Sequence, residues 1–280
     1  MRFGMVASAG SAQQVLDMAV EAEAHGWDGF FTWDGISIGE MDTFDPWTLL
    51  GAVAVLTDRI RLGAMVFPLP RRRPWKVARE AITVDHLSGG RLVLPVGLGA
   101  VDDGGVSRVS GEASTARERA ERLDEALEIL VSAWSGEPFS YTGRHHTVTD
   151  LVFRPRPVQR PRIPVWVVAA WPSERSTGRA AAWDGVVPQR RGSSDPLSAA
   201  EVSDLVAWVS CRRRAGAGAP DGPYDVVLQG VLPEDDVQAV EHLHPLAEAG
   251  ATWWVESRWE GPGATPEALL ARIRRGPPEL

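Results

Sequence analysis

Apolar runs and amphipathic stretches alternate along the whole chain, and this alternation most constrains its fold. Residues 2–7 read as a strand, and Ser11 with Gln14 three positions on forms a capping box for a helix that Gly26 closes. Residues 29–33 form a second strand, after which Asp45 and Pro46 supply an N-cap and a first-turn proline for a helix to about residue 56. Strands over 61–67 and 92–98 follow, with helices over 75–87 and 115–135. Residues 136–162 are punctuated by Pro and Gly and read as an excursion with one short strand at 147–153. The alternation then resumes with strands at 165–169, 185–188, 224–228 and 252–256 and helices at 173–183, 199–215, 234–249 and 266–275. Eight βα repeats predict a parallel sheet closed into a (β/α)8 TIM barrel of the α/β class, which usually takes roughly 250 residues. The expectation is one domain over 1–280, with 136–162 inserted between helix 4 and strand 5. An open doubly wound sheet competes, but its GxGxxG should follow the first strand, where this chain reads ASAGSAQQ.

Charge and composition exclude some partners. A net charge of −8 opposes binding to nucleic acid, which needs a basic face. No apolar stretch approaches the roughly 20 residues that cross a bilayer, and MRFGMVASAG lacks a secretory apolar core, so a cytoplasmic protein with no membrane partner is expected. The single Cys211 lies in a helical stretch and is expected to be a buried or half-buried structural thiol. Twelve tryptophans exceed what a compact core needs, so some are expected to wall a ligand cleft.

The strand at 92–98 contains Pro95, which has no N–H for a ladder. A bulge or widened spacing is expected there. In a barrel, function gathers at the carboxyl ends of the strands. These ends hold no histidine and no nucleophile elbow, and their only carboxylates are Asp34 and Glu256. The two are the candidate catalytic acid/base pair; the competing reading is that each pairs with an arginine. No metal site is expected, because His145 and His146 are adjacent and His242 and His244 lie two apart on a helix, where side chains do not face one another. A mouth rich in small residues and Trp but short of acids and bases suits a cofactor that brings its own reactivity. Trp33, Phe67, Trp171 and Gln189 are the expected walls of the substrate pocket.

AEAHGWDGFFTWD (22–34), residues 45–80, DHLSGGRLVLPVGLG (85–99), residues 122–146, PRPVQRPRIPVWVV (155–168), WDGVVP (183–188) and AGATWWVE (249–256) together resemble the bacterial luciferase-like family of flavin- or deazaflavin-dependent oxidoreductases. The resemblance implies a cofactor ring backed by a non-prolyl cis peptide bulge that maps onto Ala64, Met65 and Val66. It further implies ring contacts at Gly97 and Gly99, and a phosphate site at Ala169, Ala170, Trp171, Ser173 and Arg175. Arg71 to Arg73 are expected to form a solvated loop that positions the next helix, with an anionic cofactor tail as the alternative. Where relatives carry Asp-His after strand 2, this chain has Asp34-Gly35 and lacks the imidazole base. The implied function is a monooxygenase that uses reduced FMN, supplied by a separate flavin reductase, and oxygen on a small hydrophobic molecule. The alternatives are a reductase using coenzyme F420, or a barrel without cofactor that performs acid/base chemistry such as a cyclisation. The resemblance also implies a homodimer.

Overall fold

The computed structural model describes residues 1–100, 102–216 and 222–280. The chain forms two compact units, one of Met1–Phe31, Arg59–Arg61 and Pro164–Leu280, the other of Thr32–Asp58 and Leu62–Ile163. The first opens with β1 (Arg2–Val6), α1 (Ala12–Ala24) and β2 (Gly29–Thr32). The expected capping box starts α1, with Ser11 Oγ accepting from the Gln14 N–H and the Gln14 side chain accepting from the Ser11 N–H.

The second unit holds α2 (Pro46–Leu56), β3 (Arg61–Ala64), β4 (Phe67–Pro68), α3 (Pro74–Leu87), β5 (Leu94–Gly97), α4 (Gly104–Ser107), α5 (Ala116–Trp134), β6 (Phe139–Thr142) and β7 (Thr147–Leu151). The first unit resumes with β8 (Val165–Trp171), α6 (Glu174–Ala181), β9 (Gly185–Arg190), α7 (Ala199–Arg214), β10 (Asp225–Gly230), α8 (Asp236–Glu248), β11 (Trp253–Glu256) and α9 (Pro266–Arg274). Within the first unit β2, β1, β11, β10, β9 and β8 pair in that order, all parallel. Parallel strands joined through helices bury both faces, which is why these runs are almost continuously apolar. Phe31, Trp166 and Trp253 pack there with ring centroids 5.2 to 6.4 Å apart, so several tryptophans belong to the core.

The second unit contains the irregularity that Pro95 foretold. Leu62 bridges Leu92, and the next pairing joins Phe67 to Val96. Five steps along one strand thus oppose four along the other, which is a bulge at Met65 and Val66. Val93 donates its N–H to the Leu62 carbonyl at 2.9 Å. The next N–H in that series belongs to position 95, and proline has none. Strand 61–67 is therefore two pieces, β3 and β4, and the Met65–Val66 peptide is cis.

Three expectations need correction. The excursion holds an antiparallel hairpin, β6 with β7, rather than a lone strand. Asp85, fully buried on α3, pins its far end by accepting from the N–H groups of Val158 at 2.6 Å and Gln159 at 3.1 Å. Cys211 is exposed: Val202, Leu205 and Val209 make the buried face of α7, and a residue two places past Val209 points away from it. Among the described residues, no helix is long and apolar enough to cross a membrane.

Candidate active site

In the second unit, the end of β2 is held by a buried network of four charges. Asp34 Oδ1 accepts from Arg71 Nη2 at 2.6 Å and Oδ2 from Arg72 Nε at 2.7 Å. The Asp34 carbonyl takes a further bond from Arg71 Nη2 at 2.7 Å. The other arm of Arg71, Nη1, binds Asp103 Oδ2. Asp103 also caps α4 through the Gly105 N–H at 2.9 Å and gathers the N–H groups of Ile36 and Ser37 at 3.1 and 3.0 Å. The side chains of both aspartates are 1% exposed, and those of Arg71 and Arg72 are 7% and 17%. Two carboxylates and two guanidinium groups cancel, so no net charge is left over for an anionic ligand.

Burial disfavours the charged form of Asp103, but the N–H groups of Gly105, Ser37 and Ile36 and the Arg71 guanidinium outweigh it and hold the carboxyl below its ordinary value. Burial likewise opposes Arg72, whose pKa nevertheless rises above its ordinary value because Asp34 faces it directly. The expected solvated loop at Arg71 and Arg72 is therefore corrected: the two side chains are enclosed and tie three loops together. Beside them, a Cβ at Gly35 would collide with the Trp33 ring and lie 3.1 Å from Ile38 Cδ1. The indole takes the space in which relatives carry an imidazole.

The ring-backing residues of the same unit also have defined places. Ala64 and Met65 are buried, and Met65 and Val66 make the cis bulge. Gly97 ends β5; Gly99 follows at φ +86°, where a Cβ would come within 2.9 Å of Pro68. Phe67, expected at the pocket wall, is instead fully buried and stacked on Trp47 at 4.4 Å, because β4 turns it into the core after the bulge.

In the first unit Glu256 ends β11 with its side chain fully enclosed. It accepts from Arg258 Nε at 2.8 Å and from the Leu232 N–H at 3.2 Å, with Arg272 Nε 4.0 Å away. Arg258 continues to Glu234 at 2.9 Å. Burial opposes the charge on Arg258, but Glu256 and Glu234 hold its pKa above the ordinary value. The two expected catalytic carboxylates are thus not one acid/base pair: each belongs to its own arginine cluster in its own unit.

The β8–α6 turn carries the expected phosphate residues. Ala169 is buried, and Trp171 packs edge-on against Trp208. Ser173 is the N-cap of α6 with its hydroxyl uninvolved in capping, and Arg175 is exposed on the first turn. The first N–H groups of a helix have no acceptor within it. The Ala170 N–H is already taken, donated to Ser176 Oγ at 3.1 Å, and the acidic Glu174 shares the turn.

Gln189 lies on a cavity of about 470 Å³ at the carboxyl ends of β9, β10 and β11, with Arg190, Ser257, Trp254 and Trp259. His242 of α8 reaches the same wall, edge-on to Trp254. A search confined to strand ends misses His242, which comes from a helix. Neither carboxylate at the strand ends is free to exchange a proton, so this site needs redox or electrophilic reactivity brought by a ligand.

The sequence model described as luciferase-like monooxygenase matches residues 1–275. The chain belongs to the luciferase-like monooxygenase family. It is 33% identical over 191 residues to an F420-dependent glucose-6-phosphate dehydrogenase of Microbacterium testaceum, covering 65% of this chain and 55% of that protein. It is 35% identical over 212 residues to an uncharacterized protein of Mycobacterium tuberculosis, covering 76% and 68%. The chain spans just over half the length of the first of these relatives. Among solved structures it is similar to an F420-dependent secondary alcohol dehydrogenase, at TM-score 0.80 and 15% identity over 99% of this chain and 98% of that one. A monooxygenase from Streptomyces bottropensis aligns at TM-score 0.76 and 19% identity over 98% and 97%. At such identities the likeness shows the fold: the chain is a (β/α)8 TIM barrel of the luciferase-like type.

Proposed function

We propose that this chain is an oxidoreductase whose reactivity comes from a bound flavin or deazaflavin, and that it acts as a monooxygenase using reduced FMN and oxygen on a hydrophobic organic molecule. The observation that carries this reading is the end of β2. Dehydrogenating an alcohol calls for a base beside the substrate. Here the Trp33 ring fills the space over Gly35, and both oxygens of Asp34 are bound by guanidinium groups. Asp34 then serves as a positioning residue that fixes Arg71 and Arg72. Glu256, fully enclosed, does the same for Arg258. Acid/base chemistry without a cofactor has no free carboxylate at either place.

The residues present fit such a cofactor. In one unit the Met65–Val66 bulge with Ala64, Gly97 and Gly99 would back a planar ring. In the other, Ser173 Oγ, the first-turn N–H groups of α6 and Arg175 would receive a phosphate, against the opposing charge of Glu174. Bound there, the cofactor would supply the redox chemistry, and a separate flavin reductase would deliver FMN reduced. The F420 dependence of the dehydrogenase relatives supports coenzyme F420 as the second reading.

Titration of the purified protein with FMN, reduced FMN and reduced F420 tests both. Micromolar binding of reduced FMN and turnover that requires oxygen are expected. Selective F420 binding with oxygen-independent turnover moves the assignment to the second reading, and binding of none of the three refutes both.

A further inference from the structure

We propose that the cavity of about 470 Å³ at the ends of β9, β10 and β11 seats the organic substrate and selects a planar, conjugated molecule carrying oxygen acceptors. The proposal rests on the oxidoreductase reading above and names its substrate class. Two indoles line the cavity: Trp254, 2% exposed, and Trp259, 38% exposed. Leu228 and Leu246 complete an apolar wall. Flat aromatic walls favour a flat ligand, through ring contacts that an aliphatic chain makes less well. The volume suits a molecule of one or two fused rings.

Polarity is set by two donors. Trp254 Nε1 and Arg190 Nε are buried and have no acceptor among the described residues. Arg190 is not free to swing toward another partner, because its Nη2 is held by Glu201 at 2.6 Å and by the Pro196 carbonyl at 2.9 Å. A buried N–H without an acceptor is disfavoured, and a carbonyl or phenolic oxygen on the ligand would meet both needs. A hydrocarbon leaves the two donors unmet, and a cationic ligand brings like charge to the guanidinium.

Calorimetric titration with three probes tests this. Coumarin is planar with a carbonyl, naphthalene is planar without oxygen, and decanal is an aliphatic carbonyl compound. Coumarin is expected to bind about tenfold tighter than either, the loss equivalent to one well-made hydrogen bond or one lost ring contact. Trp254→Phe should lower coumarin affinity several-fold and leave naphthalene unchanged. Trp259→Ala, at the exposed rim, should weaken both planar probes without risk to the core. Equal binding of all three probes, binding of none, or a Trp254→Phe protein with unchanged coumarin affinity overturns the proposal. The cofactor titration is run on the same wild-type protein: its failure refutes the oxidoreductase reading while the probe series still decides what the cavity selects.

Discussion

Arg71→Met removes a guanidinium from the buried network and keeps most of the bulk of the side chain. Three acceptors lose a donor: Asp34 Oδ1, the Asp34 carbonyl and Asp103 Oδ2. Asp34 retains Arg72 at 2.7 Å, and Asp103 retains Ile36, Ser37 and Gly105. Removing one partner of a buried ion pair costs about 3–5 kcal/mol, and the retained donors place this case near the lower end, about 3 kcal/mol. Against a typical stability of about 5–15 kcal/mol the variant still folds. Its pH dependence identifies the cause. A carboxyl depressed in the folded state, as Asp103 is, stabilises the fold above its unfolded value of about 3.9, and that contribution disappears as pH falls through the folded value. Without Arg71, burial meets less opposition and the folded value moves up, so the variant loses less on acidification. The stability gap between the two proteins is therefore full at pH 7 and narrows toward pH 4. Urea unfolding followed by circular dichroism at pH 7, 5 and 4 measures it. A gap below about 1 kcal/mol at pH 7, or one that does not narrow in acid, refutes the network as described. Arg71→Lys should recover less than half of the loss, because one ammonium cannot span acceptors that a planar fork reaches together.

Gly35→Ala should cost about 1–3 kcal/mol by driving a methyl group into the Trp33 ring, with a change in tryptophan emission on displacement; unchanged emission and melting would show that the indole has other room. Glu256→Gln should lower stability by about 3 kcal/mol in thermal unfolding, because Arg258 and Arg272 lose a buried counter-charge, while FMN affinity is unchanged. A Glu256→Gln protein of normal stability that no longer turns over would return the residue to the catalytic role. Asp85→Ala should cost about 3 kcal/mol and open residues 154–160 to limited proteolysis, since the carboxylate holds Val158 and Gln159; equal cleavage rates for the two proteins would argue against it.

What could be seen in the sequence was what acts over short range. The Ser11–Gln14 box, the Asp45–Pro46 helix start and the apolar runs of the parallel strands depend on residues a few positions apart, and all appear as expected. The β6 strand was missed because FSYT is short, half exposed and set among prolines and glycines, so it carries no periodic signal. Phe67 was misplaced because alternation was counted through one continuous strand, and the extra residue at the bulge reverses the face of everything after it. The ionic network was hidden for another reason: Arg71 meets Asp34 and Asp103 from 37 and 32 positions away, and no local pattern says which carboxylate a basic run will find.

Pro95 connects the legible part to the hidden one. A proline inside a buried strand looks like an error of assignment until the facing strand is examined. There the ladder already breaks, and the break is the Met65–Val66 bulge on which the resemblance had placed the cofactor ring. A residue without an N–H costs least opposite a strand segment that is out of register. Pro95 and the bulge are thus two sides of one irregularity, and a strand-interior proline in a parallel barrel points to the place where the facing strand leaves the ladder.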